Sequence, residues 1–177
     1  ESLKAYAILC EILWERKEFD QALERLRSCP QEGVDPVGHL LLWGETLFQA
    51  ERYGEAEALF LGFLRSRGRE ENVVRALARV YEAEGLREKA RGLYLEIMRN
   101  CRSCMRAVDP LIKRRYADIS FETGKHTPET LEIYLSLTQE DPENRGEYFD
   151  RISRIYASLG NEKEAGRFRA LARGVEK

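Results

Sequence analysis

Few side chains in this sequence have the types and spacing that chemistry requires, and the clearest pair is Cys101 and Cys104. Two cysteines at this spacing can supply half of a zinc site or cycle as a dithiol. Zinc needs two more ligands, a redox pair usually follows a strand in a thioredoxin-like fold, and haem attachment needs His where Met105 stands. We interpret them as plain thiols or an incidental local disulfide. The alternative is a metal or redox function shared with residues outside this sequence.

Catalysis would have to use His39 or His126, which lie 87 positions apart. A dyad or triad needs a base beside its nucleophile, and His39 neighbours an apolar anchor while His126 falls in a predicted turn. The sequence contains neither GxxxxGK[ST] for phosphates nor His-Glu-x-x-His for a metal. We predict that the protein is not an enzyme and needs no cofactor.

The composition is typical of a globular protein: 177 residues, 43% hydrophobic and 34% charged. The 29 basic and 31 acidic residues alternate along the chain, so no basic stripe predicts nucleic-acid binding. The longest apolar stretch, around residues 40–43, is too short to cross a membrane. Four cysteines are too few for a disulfide scaffold, which favours a reducing, cytoplasmic location.

The elements that position these side chains repeat at a fixed period of 34 residues. Three equally spaced alanines mark it: Ala22, Ala56 and Ala90. An apolar anchor lies 16 residues before each of them: Tyr6, Leu40 and Val74. Apolar or small residues follow each anchor after three, four and seven positions, which is one face of a helix: Leu9, Cys10, Leu13; Trp43, Gly44, Leu47; Leu77, Ala78, Tyr81.

A second helix follows each alanine, because a large apolar residue recurs four positions later as Leu26, Phe60 and Tyr94. Small residues of the first helix lie opposite these alanines, so the paired helices can approach closely: Cys10, Gly44 and Ala78. Two later units are more divergent. Their marker residues are Tyr116, Ala117, Gly124, Thr130 and Tyr134, and then Phe149, Ile152, Ser153, Tyr156, Gly160 and Ala165. The predicted units span about 3–36, 37–70, 71–104, 110–144 and 146–177.

Turn and cap residues agree with this division into helices. We predict left-handed turns at Gly85, Gly124 and Gly160, each eleven residues after the anchor of its unit. We also predict helix starts at three Asp-Pro pairs, with Asp as N-cap and Pro in the first turn: Asp35-Pro36, Asp109-Pro110 and Asp141-Pro142.

Over essentially the whole chain, this pattern resembles the tetratricopeptide repeat (TPR) family. The resemblance is most specific in the second and third units and weakest in the fourth, where Lys113 and Ser120 replace the expected apolar residue and Tyr. It implies an all-α fold, a right-handed superhelical solenoid of about five helix-turn-helix units, forming one domain over 1–177. The alternative is an irregular helical bundle. The first residue is Glu1 rather than Met, so we expect the chain to be a fragment of a longer protein.

The resemblance also implies a non-enzymatic protein-interaction module, an adaptor whose first helices line a concave groove. The residues out of phase with the anchors are our candidate partner-binding set: Trp14, Leu41, Glu45, Phe48, Arg75, Arg79, Arg114 and Phe121. They favour a partner protein or peptide with apolar and acidic residues, although such a stripe can also be merely solvated. We expect Trp14, Leu41 and Phe48 to form an exposed apolar patch, and the three arginines to be largely unneutralised.

The alternative function is a structural scaffold that associates with copies of itself. The last helix is expected to present Phe168 and Leu171, and no polar capping helix follows them. TPR proteins serve as scaffolds in bacterial secretion, pilus and envelope-polysaccharide assemblies, where the repeats are often tethered to a membrane by other segments.

Overall fold

The computed structural model describes residues 3–30, 35–103 and 107–175. Within these ranges the protein is all-α, with ten α-helices, one 3₁₀ helix and no strand. The first two helix pairs are α1 (Leu3–Glu15) with α2 (Phe19–Arg27), and α3 (Pro36–Gln49) with α4 (Tyr53–Arg67). The next two are α5 (Glu71–Ala83) with α6 (Arg87–Ser103), and α7 (Pro110–Glu122) with α8 (Pro128–Glu140). The last pair is α9 (Arg145–Ser158) with α10 (Glu162–Val175).

Two of the predicted helix starts are confirmed by their caps. The Asp35 carboxylate accepts from the backbone N–H groups of Val37 and Gly38 at 3.1 and 3.0 Å. The Asp109 carboxylate accepts from Leu111 N at 2.9 Å. In both cases a side-chain oxygen satisfies backbone donors that the first helical turn leaves without partners.

The third predicted start, at Asp141-Pro142, is confirmed in position but not in helix type or side-chain cap. A short 3₁₀ helix, Pro142–Asn144, follows Asp141, and α9 begins only at Arg145. The carboxylate of Asp141 accepts mainly from side chains, from the hydroxyl of Tyr148 at 2.5 Å and from the side-chain amide of Asn144 at 3.0 Å. These side-chain donors take the oxygens that a helix cap would need.

The left-handed turns within the helix pairs are confirmed. Gly85, Gly124 and Gly160 have φ of +73°, +70° and +76°. The corresponding turns of the first two pairs use Lys17 and Glu51, with φ of +60° and +58°. A residue with a side chain is less stable than Gly in the left-handed backbone region. Lys17 and Glu51 therefore form the same turn at a conformational cost that Gly would not incur.

The chain divides into two compact units, Glu1–Leu93 and Tyr94–Lys177, with the boundary inside α6. In the first unit the predicted close approach of paired helices is confirmed, because Cys10, Ala22, Ala56 and Ala78 are completely buried. At Gly44 the approach leaves no room for a side chain, since a Cβ built there would lie 2.0 Å from Cζ of Phe60.

The core of the second unit is rich in tyrosine, with Tyr134 and Tyr148 completely buried beside Leu137 and Ile152. Phe168 on α10 is only 8% exposed, because it packs against the rings of Phe149 and Tyr156 at centroid distances of 5.9 and 5.6 Å. The expectation that the last helix presents Phe168 is therefore wrong. Leu171 on the same helix is exposed.

The cysteines that the structure describes lie in helical packing. Cys10 and Cys29 are buried, as predicted, and burial raises the pKa of the Cys10 thiol. Cys101 is buried near the end of α6, whereas Cys104 lies outside the described residues. None of the described helices combines the length and apolar character that crossing a membrane requires.

Candidate partner-binding groove

A cavity of about 390 Å³ lies between α3 and α5 in the first unit. Five of the predicted partner-binding residues line it: Leu41, Glu45, Phe48, Arg75 and Arg79. Asn72, which the repeat register also places on the groove-facing side, lines the cavity as well, together with residues that the register did not indicate: Leu42, Gly44, Phe60, Ala76 and Val80. We call this cavity and its lining the α3/α5 groove.

The floor of the α3/α5 groove is apolar. Phe60 reaches it from α4 and is 2% exposed, because Gly44 has no side chain to block its ring. Ala76 and Val80 of α5 line the same cavity, and the small side chain of Ala76 contributes little volume. Gly44 thus lets the Phe60 ring form the floor, and the small side chain of Ala76 leaves the space above it open.

Phe48 forms the aromatic wall of the α3/α5 groove and is held on two sides. The ring of Tyr53 meets it edge-on at a centroid distance of 5.4 Å. The Arg79 guanidinium carbon lies 4.9 Å from the centre of the Phe48 ring, within cation–π range. The expected single exposed patch of Trp14, Leu41 and Phe48 is wrong, since Leu41 and Phe48 line the groove half-buried whereas Trp14 packs against the core of α1 and α2.

The arginines at the groove are already paired, contrary to expectation. Arg79 donates to Glu45 at 3.0 Å, and the second oxygen of Glu45 accepts from Gln49 at 2.9 Å. Arg75 approaches Glu71 at 3.4 Å one helical turn earlier. A partner carboxylate would have to compete with these internal acids, and the Arg79–Glu45 pair lies at the rim where such a competitor would enter.

The three remaining predicted residues lie elsewhere. Trp14 donates from Nε1 to the hydroxyl of Thr46 at 3.2 Å and packs against the core between α1 and α2, so it supports α3 without lining the cavity. Arg114 and Phe121 belong to α7 in the second unit. Phe121 stacks on His126 at 5.3 Å and meets the buried Tyr134 edge-on at 6.4 Å.

Between α7 and α9 the second unit contains a network of charged side chains. Asp118 accepts from Arg151 and from the hydroxyl of Tyr134, the latter at 3.0 Å. Arg151 also donates to Glu147 at 2.5 Å, and its guanidinium lies 5.8 Å from the centre of the Phe121 ring. Burial lowers the pKa of Arg151, and repulsion from other arginines lowers it further.

Arg114 joins the same network, with Glu147 at 3.0 Å and Asp118 at 3.6 Å. Its guanidinium lies 5.6 Å from the centre of the Tyr148 ring. The hydrogen bond from Tyr148 lowers the pKa of Asp141, with a further contribution from Asn144, while burial raises the pKa of Tyr148. These interactions link α7, α8 and α9. Arg114, a predicted partner-binding residue, therefore already pairs with acidic residues of the protein itself.

Neither histidine is arranged as a catalytic base. His39 Nε2 lies 3.0 Å from the carbonyl oxygen of Leu26, so it donates to the backbone of α2. His126 Nδ1 lies 2.7 Å from Ser158 Oγ, whose own hydroxyl donates to the Ile155 carbonyl at 2.7 Å. With the Ser158 hydroxyl directed to this carbonyl, the arrangement is that of a helix-capping contact between side chains. Among the described residues, no three His, Cys, Asp or Glu side chains gather as metal ligands.

Comparison with known proteins gives structural likeness without sequence likeness. No family model and no curated protein sequence matches the chain. Among solved structures, MamA from AMB-1 superposes with a TM-score of 0.73 at 15% identity, over 98% of this chain and 91% of that one. MamA from Desulfovibrio magneticus RS-1 gives 0.69 at 16% identity, over 98% and 94%. A kinesin-light-chain-type protein from Podosopora anserina, with nearly identical TPR-like repeats, gives 0.67 at 16% identity, over 98% and 94%.

These likenesses define the class of the fold. The protein has an all-α helical-repeat fold of the TPR type, as the 34-residue period predicts. At about 15% identity the likeness extends to the fold alone, so the function has to be argued from this chain's own surface.

Proposed function

We propose that the protein is a non-enzymatic adaptor that binds a segment of a partner protein in the α3/α5 groove. The segment would carry an apolar anchor for the cavity and an acidic residue beside it. The observation that carries this proposal is an apolar-floored cavity of about 390 Å³ with two guanidinium groups at its rim. Its volume falls within the range of ligand-binding pockets, roughly 300–1,000 Å³.

The apolar part of the proposal depends on the cavity floor. Leu41 and Phe48 remain half-buried although the neighbouring Leu47 is packed to 3% exposure, so the groove wall retains accessible apolar surface. An apolar side chain entering between Leu41 and Ala76 would remove this surface from water. Apolar anchors that become fully buried at the centre of an interface usually dominate its affinity.

The acidic part of the proposal depends on the charges at the rim. Arg75, Arg79 and Glu45 line the cavity, which leaves one net positive charge among the lining residues. Because Arg79 is paired with Glu45, a partner carboxylate exchanges one ion pair for another. The net gain is small for exposed pairs, so we expect modest affinity and a preference for acidic partners that weakens with salt.

Selection from a random peptide library tests the proposal without a known partner. Peptides selected on the unmodified protein should converge on an apolar residue next to Asp or Glu. Selection on the double variant Arg75→Glu, Arg79→Glu should instead enrich Lys or Arg next to the same apolar residue. Arg65→Glu changes an exposed arginine of α4 outside the cavity and should leave the selected motif unchanged.

Two results would refute the groove as the site. One is the same acidic motif on the unmodified protein and on the double variant. The other is a motif lost equally in the double variant and in Arg65→Glu.

The remaining candidate residues lie outside the groove. Trp14→Phe should weaken peptide selection only through altered packing of α3, whereas Arg114 and Phe121 should contribute only if the partner also contacts the second unit.

A further inference from the structure

The first helix exposes a continuous apolar face. Ala5, Ile8 and Ile12 lie three and four positions apart in α1, so they share one side of the helix. All three are exposed, with Ile8 at 59% and Ile12 at 43%. Large aliphatic side chains adjacent on one helix face are costly to leave in water, so this α1 face requires an explanation.

The repeat register shows what this face does elsewhere in the chain. Ile12 lies six residues after the anchor of its helix pair. The residues at the same position in the four later helix pairs are buried, with at most 4% of their surface exposed: Thr46, Val80, Ile119 and Ile155. Ala5 lies just before its anchor. Its counterparts Val73, Ile112 and Tyr148 are buried, and His39 is half-buried. Only in α1 are both positions exposed.

Within the compact unit Glu1–Leu93, the structure shows what covers these positions in α3 and α5. Both helices of the preceding pair pack against the next first helix: α1 and α2 against α3, and α3 and α4 against α5. Trp14 of α1 donates to Thr46, and His39 bonds to the backbone of α2. The face that α1 exposes is therefore the face on which a preceding helix pair stacks.

We propose that the α1 face of Ala5, Ile8 and Ile12 receives a further helix pair of the same repeat type. This pair would stack on α1 as α3 and α4 stack on α5. Its second helix would present a large apolar side chain at the position that Phe60 occupies in α4. The interaction uses none of the residues that line the α3/α5 groove, so it is independent of the proposed peptide site.

The last helix pair of a second copy does not have this chemistry. The second helix of each pair carries a marker residue, which is Ala22, Ala56, Ala90 or Thr130 in the first four helix pairs. Four residues after this marker these pairs have large buried residues: Leu26, Phe60, Tyr94 and Tyr134. The fifth helix pair has Arg169 at this position, which is exposed, and Arg173 one turn later, which is also exposed. Stacking α10 on Ile8 and Ile12 would bury guanidinium groups against aliphatic side chains at a large desolvation cost.

A tandem extension tests the proposal with a probe of known structure. A copy of residues 37–70 is joined directly before Leu3, which preserves the register of the natural junction between residues 70 and 71. We expect a higher denaturation midpoint and amide exchange in α1 slowed on the order of tenfold or more. Ile12→Asp should lower the midpoint of the extended protein but leave that of the original chain nearly unchanged. Glu11→Lys, on another side of α1, should have little effect in either.

Two outcomes would overturn the proposal. In the first, the extension adds no helical content and leaves amide exchange in α1 unaltered, and Ile12→Asp lowers the denaturation midpoint of the extended protein no more than that of the original chain. In the second, sedimentation shows that the original chain forms dimers that Ile8→Asp abolishes, which would assign the α1 face to a second copy.

Discussion

The α3/α5 groove of the first unit and the equivalent place between α7 and α9 of the second are built from matching positions and differ in content. Phe48 and Phe121 correspond, and so do Glu45 and Asp118. Opposite them, the first unit has Ala76 and the second has Arg151. The small residue lines a cavity, whereas the guanidinium of Arg151 lies beside the Phe121 ring and pairs with Asp118.

Under the proposed function, this one repeat position separates a residue that stabilises the fold from one that leaves room for a partner. In the second unit the aromatic ring and the acidic residue are occupied by the protein's own arginine, which links α9 to α7. In the first unit Arg79 also contacts the corresponding ring and acid, but Ala76 stands at the position of Arg151 and a cavity remains beside them. Changes at these positions should therefore affect folding in the second unit and binding in the first.

Removal of Arg151 should have the largest effect on stability. Arg151→Ala leaves Asp118 half-buried without its principal partner, so we expect a loss of about 2–4 kcal/mol in the free energy of unfolding. Arg154→Ala removes an exposed arginine of the same helix, paired with Asp150, and should change stability little. Chemical denaturation of both variants makes the comparison, and equal losses would show that the network does not stabilise the second unit.

Gly44 should be the most sensitive glycine of the first unit. Gly44→Ala places a methyl group where the Phe60 ring lies, so we expect a loss of about 1–3 kcal/mol from overpacking. Gly62→Ala, in α4 with open space around its Cβ position, should raise stability by about 0.5–1 kcal/mol, because alanine is the better helix former. A Gly44→Ala variant as stable as Gly62→Ala would contradict the close approach of α3 and α4.

The bond from Tyr148 to Asp141 should give a smaller, pH-dependent effect. The folded state lowers the pKa of Asp141, so its stabilisation is present above the unfolded value of about 3.9 and is lost as pH falls through the folded pKa. Tyr148→Phe should lower the denaturation midpoint at pH 7, and the difference from the unmodified protein should shrink below about pH 4. Tyr156→Phe is the control, and a difference independent of pH would exclude this origin.

Glu45→Gln should have the smallest effect, and it acts on binding. The variant removes the internal competitor for Arg79, so a peptide with an apolar anchor and an acidic residue should bind more tightly, by less than about fivefold. Glu57→Gln, in α4 outside the cavity, is the matched control. Fluorescence titration at low and high salt measures both, and weaker binding by Glu45→Gln would mean that Glu45 itself contacts the peptide.

The sequence predicts the helix pairs well because their determinants are local and periodic. The anchors, the small residues at Cys10, Gly44 and Ala78, and the turn glycines each act within one helix or one tight turn. Their spacing therefore determines which face is buried before any tertiary contact is known. The turn at Glu51 shows the limit of this reasoning, since its left-handed conformation follows from the repeat register rather than from its residue type.

The charged groups could not be predicted in the same way. The bond from Arg79 to Glu45 joins residues 34 positions apart, and the one from Arg151 to Asp118 joins residues 33 positions apart. Long side chains reach several acids of neighbouring repeats, and the sequence does not show which acid lies within reach. Asp141 followed by Pro resembles a helix cap, but Tyr148 competes for its carboxylate from the next helix. The small residue that leaves the cavity open, Ala76, becomes recognisable only when α3 and α5 are placed side by side.

Whether a partner binds in the α3/α5 groove can be tested by making this groove resemble its counterpart in the second unit. Ala76→Arg places at this position the residue type that Arg151 supplies between α7 and α9, whereas Ala58→Arg adds the same side chain to an exposed site of α4. Calorimetric titration with the peptide selected on the unmodified protein should show binding to Ala58→Arg at full affinity and at least tenfold weaker binding, about 1.4 kcal/mol, to Ala76→Arg. Full affinity in both variants, with the folded helix content retained, would show that the partner does not bind in the α3/α5 groove.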